Sequence, residues 1–306
     1  MKTFSAGRRF ALLVMLAAVV WRHALAATFM LALGNEAYTH ILLILPISIV
    51  LIFPEVTSRK GQFQPDLPVG LTLVLVAALI GFIGSGRWVG SSLPADVQLS
   101  LQMLAVITWW IGSFVWCFGN GLFRRCLFPL CFLLWLVPVP HSVLNYVVSF
   151  LQHGSASAAR MLFTAVGVPV SQDGVQLSIP GLTVEVADEC SSIRSSLMLL
   201  VTTMVLAHLM LRSAWGKVVV VLAAIPLCLA KNGLRIFALS MLTVYVDPGY
   251  LHGRLHHNGG IVFFLLSLAG LAALLWLIRQ AERRMKPQSI VSSITPLGIR
   301  KDSLQA

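Results

Sequence analysis

The chain has 306 residues, of which 58% are hydrophobic and 11% charged, and its mean hydropathy is +0.87. That composition excludes a soluble globular domain and leaves a polytopic membrane protein. The net charge of +11 raises the possibility of a nucleic-acid partner, but the placement of the charges along the chain argues against one.

About twenty consecutive apolar residues are needed to cross some 30 Å of hydrocarbon as a helix. Eight stretches meet or approach that requirement: 10–33, 38–53, 68–85, 98–118, 122–138, 191–211, 217–246 and 260–279. The first holds Arg22 and His23 beside Trp21, which predicts a kink or a part lying along the membrane surface. It continues past any small-residue cleavage site with no hydrophilic segment behind it, so it reads as a retained span and not a signal peptide.

Between the fifth and sixth spans lies a different kind of sequence. HSVLNYVVSFLQHGSASAARMLFTAVGVPV alternates apolar residues at helical spacing with Ser, Asn, Gln and His, which predicts a helix lying at the outer interface. VSQDGVQLSIPGLTVEVA, residues 170–187, then sets Asp173-Gly174 and Pro180-Gly181 among β-branched residues, and predicts a short hairpin on the outer face. This hairpin delivers the chain to Cys190. Residues 281–306 form a basic tail, expected to be disordered and cytoplasmic, beyond a single transmembrane unit of residues 1–280.

With eight spans, fifteen basic residues fall on the side of the termini and three, Arg87, Arg160 and Arg254, on the other. Such an asymmetry orients a membrane protein with both ends in the cytoplasm. The basic charge therefore serves topology and lipid contact, and no nucleic-acid partner is implied. Four of the five cysteines, Cys117, Cys126, Cys131 and Cys228, lie in or at the end of apolar spans, where a free thiol behaves as a small hydrophobe. The spacing of cysteine and histidine offers no metal site or disulfide framework, and no cofactor is expected.

Cys190 is different, because EVADECSSIRSS surrounds it with acids and with Arg194. Helix lengths put two other polar groups at the same depth. Arg235 follows Lys217 by eighteen residues, roughly 27 Å of helix, which brings it to the outer boundary. His256 and His257 precede the last span there. A cysteine thiolate beside cations is a strong nucleophile. An arginine can clamp a carbonyl or carboxylate or stabilise an oxyanion, and a histidine can act as general acid or base. Together these groups would perform acyl transfer.

Duller readings stay open at this level. Cys190 reads equally as an inert interfacial thiol, Arg194 as the ion-pair partner of Asp188 or Glu189, and Arg235 as the neutraliser of a carboxylate on another helix. Lys231 lies one turn below Arg235 on the same face. A non-enzymatic subunit for export or assembly of a polysaccharide or lipid-linked precursor is the rival of another class. Against it, the polar groups gather at one rim and not at the bilayer midplane, where transport sites lie.

Three stretches, ECSSIRS at 189–195, NGLRIF at 232–237 and HHNGGIVFF at 256–264, resemble the exosortase and archaeosortase family of membrane cysteine transpeptidases. The resemblance covers residues 38 to 280 and implies an all-α polytopic fold of about eight helices. It also implies Cys190 as nucleophile, Arg235 as the family's arginine, and His256 as its histidine, with His257 as the rival candidate. Ser192 stands where a glycine is usual, and Ile261 where an aromatic is common. The implied substrates are secreted, membrane-anchored proteins ending in a Pro-Glu-Pro type motif, an apolar span and a basic tail. Their product would pass from a Cys acyl-thioester to an unidentified envelope acceptor, or to water if the enzyme is a plain cysteine protease. The implied setting is a cell inner membrane, with the site facing the periplasm and a link to exopolysaccharide production.

Overall fold

A computed structural model describes residues 2–58, 64–86, 93–186, 193–247 and 260–284. The chain folds as an all-α bundle with one small sheet. Among the described residues, six helical segments are long and apolar enough to cross a membrane, and the total is eight if each of two sharply bent helix pairs is one span.

The first bent pair is α1 (Lys2–Val20) and α2 (Arg22–Gly34), broken at Trp21 with a bend of 78°. This is the kink that Arg22 and His23 announce. A 3-10 turn at Glu36–Tyr38 leads into α3 (Ile41–Ser58), and α4 (Leu67–Gly84) and α5 (Ala95–Phe118) follow. The antiparallel α4–α5 hairpin depends on small residues. A Cβ on Gly70 would lie 2.6 Å from the Trp116 Cα, and one on Gly112 would lie 3.0 Å from the Val74 nitrogen. Without a side chain at these positions the backbones come close enough for dense van der Waals contact, the force that holds helices together in lipid. Aromatic rings fill the space beside the hairpin: Phe10 lies edge-on to Phe114 and Phe118, and Trp21 to Trp109.

The predicted fifth span, 122–138, is not one helix. It consists of α6 (Asn120–Arg125), α7 (Leu127–Phe132) and a 3-10 turn over Leu133–Leu136. Pro129 brings no amide hydrogen to α7, and the chain leaves helical geometry at Val137, ahead of Pro138. It then bends by 98° into α8 (His141–Ala165). Three hydrogen bonds fix this corner. Tyr38 Oη donates to the Val139 carbonyl at 2.8 Å, Ser100 Oγ to the Pro138 carbonyl at 2.6 Å, and the His141 amide to Asp96 Oδ2 at 2.7 Å.

After α8 the single expected hairpin proves to be a three-stranded antiparallel meander: β1 (Ser171–Asp173), β2 (Gln176–Ile179) and β3 (Leu182–Glu185). The pairs Asp173 with Gln176 and Ile179 with Leu182 leave two-residue loops, and Gly174 (φ 57°) and Gly181 (φ 84°) supply the positive φ these loops need. Each of the two turn signals makes its own turn, so there are three strands. Along β2, Leu177 and Ile179 point inward and Gln176 and Ser178 outward, the alternation of a sheet with one covered face.

The last three helices among the described residues are α9 (Ile193–Met210), α10 (Ala214–Tyr245) and α11 (Gly260–Arg284). With 32 residues α10 is about 48 Å long, more than the hydrocarbon thickness requires. Its C-terminal part packs against α8 and the sheet: Ile236 joins Ala159, Phe163, Leu177 and Val186 in one buried cluster. At its other end Glu282 of α11 accepts hydrogen bonds from the Arg212 and Ser213 amides and from Ser213 Oγ, closing the entry to α10. Large apolar side chains such as Leu12, Val50, Leu75, Phe53, Leu266 and Trp276 point outward. A soluble monomer does not tolerate so much exposed apolar surface, and a membrane protein requires it.

Candidate active site

The polar chemistry of the bundle gathers along α10, where KNGLR runs from Lys231 to Arg235. Lys231 is buried, with 6% of its surface exposed, and Arg235, four residues on and therefore on the same face, is half-buried. The Lys231 ammonium donates to Ser195 Oγ in the first turn of α9, and one turn lower the Cys228 thiol reaches the Ser196 carbonyl at 3.7 Å. α10 is thus tied to the opening turn of α9 at two successive levels.

Gly233 sets the opposite side of the same turn. A Cβ there would meet Ala158 Cβ at 2.6 Å and the Ala159 nitrogen at 2.9 Å, and one on Gly154 would meet Leu229 Cδ2 at 2.8 Å. The contacts advance by four residues on both helices in the same sense, so α8 and α10 run side by side in one direction. This contact decides which way the Lys231–Arg235 face turns.

Two described residues bracket the segment that carries Cys190. Before it, Val186 is fully buried. Its amide donates to the Val175 carbonyl at 3.1 Å, and its own carbonyl accepts from Gln152 Nε2 of α8 at 2.9 Å. After it, Ser195 is held by Lys231, and Arg194 pairs with Glu36 Oε1 at 3.4 Å. Both side chains of that ion pair are more than half exposed. The partner expected for Arg194 was Asp188 or Glu189, which lie outside the described residues. The partner found is Glu36, in the turn that precedes α3.

Cys190, His256 and His257 also lie outside the described residues. Of the four expected site residues, Arg235 is the one the structure describes. Sequence reading missed Gln152, Ser195 and Glu36. Gln152 is a polar residue with nothing in its spacing to single it out, Ser195 closes the ECSSIRS stretch without a role of its own in it, and Glu36 is 158 positions from its partner. Lys231 did leave a signal, since a lysine inside an apolar helix calls for a reason. Among the other cysteines, Cys117, Cys126 and Cys228 are buried free thiols and Cys131 is exposed. His208 packs α9 against α7 by stacking on Phe128, with ring centroids 4.0 Å apart.

Residues 21–273 match the transmembrane exosortase family. That match covers most of the chain and includes all three sequence motifs, so the chain belongs to the transmembrane exosortase family. No curated protein and no solved structure matches it.

Proposed function

We propose that the protein is an exosortase that cleaves the C-terminal sorting signal of membrane-anchored secreted proteins through an acyl-thioester on Cys190, at the periplasmic rim of the inner membrane. Family membership supports the membrane exosortase-type function. The observation that carries the finer reading is the bracketing of the Cys190 segment by two contacts to α10. Val186 packs with Ile236, the neighbour of Arg235, and Ser195 bonds Lys231, one turn away from Arg235. α9 and α10 run in opposite senses there, so Val186 and Ile193, the described residues on either side of the segment, both belong to the Arg235 end of α10.

In this reading the Cys190 thiolate attacks the scissile carbonyl, and the Arg235 guanidinium stabilises the oxyanion with paired N–H donors. His256 or His257 gives a proton to the departing amine. The new C–S bond replaces the C–N bond, and the leaving peptide keeps the substrate's apolar span and basic tail. An acceptor amine or hydroxyl of the envelope then attacks the thioester, loses its proton to the same imidazole and frees the thiolate. The basic tail of residues 281–306 belongs, in this reading, to the cytoplasmic side. The test is Cys190→Ala. The variant inserts normally, while a reporter ending in Pro-Glu-Pro, an apolar span and a basic tail accumulates uncleaved, its processing reduced on the order of 10⁴-fold or more. Undiminished processing in that variant removes the mechanism.

A further inference from the structure

We propose that Lys231 is a positioning residue for this reaction: its buried ammonium, through Ser195 Oγ, locks the first turn of α9 against α10 one turn from Arg235. The inference rests on the exosortase reading and adds a residue to it.

Three observations carry it. Lys231 follows a run of apolar residues, 218–230, in α10 and has 6% of its surface exposed, so its ammonium is withdrawn from water. Among the described residues the ammonium meets no carboxylate, and the one ion pair there joins Arg194 to Glu36. Its hydrogen-bond partner is the hydroxyl of Ser195, five residues after Cys190 and in the helical turn that the Cys190 segment enters.

A lysine that served packing alone would be replaced with advantage by an apolar residue of the same length. Insertion of the span would become easier, because a charge at membrane depth is costly. Retaining the charge makes sense if its hydrogen bond holds something that must not move. A charged donor to a hydroxyl is among the stronger hydrogen bonds available, and in a buried site it is directional. Two other polar contacts of the first turn of α9 among the described residues are weaker. Cys228 to Ser196 is a long thiol contact of 3.7 Å, and the exposed Arg194–Glu36 pair ties α9 to a different element. The Lys231 bond thus ties the start of α9 to α10 one turn from Arg235. Displacing a reacting group by about an ångström is enough to cost two orders of magnitude in rate.

The decisive experiment uses the full chain in proteoliposomes with the sorting-signal reporter as substrate, comparing wild type, Cys190→Ala, Lys231→Met, Ser195→Ala and the Lys231→Met/Ser195→Ala double variant. Lys231→Met is expected to insert at least as well as wild type and to lower kcat by about 10- to 100-fold, the equivalent of one charged hydrogen bond. KM for the reporter stays within about twofold, because the substrate is still bound while the thiol is misaligned. Ser195→Ala loses a similar factor, and the double variant is no worse than the poorer single one, since both remove the same bond. Wild-type kcat in Lys231→Met, or losses that simply multiply in the double variant, overturns the proposal. So does a fall matched by less folded protein. Cleavage by Cys190→Ala would instead break the parent reading, whereas an inactive Cys190→Ala beside a fully active Lys231→Met removes the role of Lys231 alone.

Discussion

In the α4–α5 hairpin, Gly70 lies against Trp116 and Gly112 against Val74; in the α8–α10 pair, Gly154 lies against Leu229 and Gly233 against Ala158. Both contacts bring two backbones close by leaving out a side chain, and both suit the membrane, where dense packing takes over from the hydrophobic effect. They differ in what flanks the glycine. α4 has no charged residue at all, and its buried stripe of Gly70, Val74, Ala77, Gly81 and Gly84 is pure packing surface. Gly233 stands between Lys231 and Arg235, so the same device sets the face from which Lys231 reaches Ser195 at the start of α9. The first contact builds the scaffold, and the second also aims polar groups.

The largest effect that sharpens this contrast comes from Arg235. Arg235→Ala is expected to lower processing of the sorting-signal reporter by about 10²- to 10³-fold, the scale of a lost oxyanion donor. Arg235→Lys leaves most of that loss in place, because a single ammonium does not reproduce a planar fork. Replacing His256 and His257 one at a time is expected to give one variant with a loss of about 10²- to 10⁴-fold and one close to wild type, which identifies the general acid–base. These rates are read per folded enzyme in proteoliposomes.

The two glycine contacts can be set directly against each other. Gly70→Ala and Gly233→Ala each introduce a methyl group where backbone already stands, and each is expected to cost about 1–3 kcal/mol of stability, seen as a lower thermal midpoint in detergent. Gly70→Ala keeps its rate per folded molecule. Gly233→Ala loses about tenfold or more, since it shifts the face that carries Lys231 and Arg235. Equal rates in the two variants would erase the distinction between scaffold and aiming contact.

The smallest effect is expected at Arg194. Its pair with Glu36 is solvent-exposed on both sides, and such pairs contribute less than about 1 kcal/mol. Glu36→Gln should move the thermal midpoint by no more than about 2 °C and leave processing intact, checked in the same two assays.

Much of this architecture was legible in the sequence, because apolar length is a strong signal and lipid leaves the backbone few choices. The break at Trp21 was announced by Arg22 and His23. The span at 122–138 misled, since its hydropathy is that of a membrane helix while Pro129 and Pro138 divide it into short pieces. At 170–187 the turn residues were read correctly and the strands miscounted, because two turns enclose a third strand. Contacts between distant positions left no trace in a single chain. Glu36 with Arg194, Gln152 with Val186 and Lys231 with Ser195 depend on how helices are rotated about their axes, which hydropathy does not record. Arg235 stood out in the sequence because an arginine in an apolar helix calls for a reason, and the structure describes it as half-buried on α10.

The proposed mechanism requires the Cys190 sulfur to come within reach of position 235. It is tested most directly by short-range thiol cross-linking, in a chain whose Cys117, Cys126, Cys131 and Cys228 are replaced by alanine and which carries Arg235→Cys. A short bifunctional maleimide is predicted to join positions 190 and 235 in high yield within one chain. If both thiols react with a monofunctional maleimide yet no cross-link forms, the two groups do not share a site and the account fails.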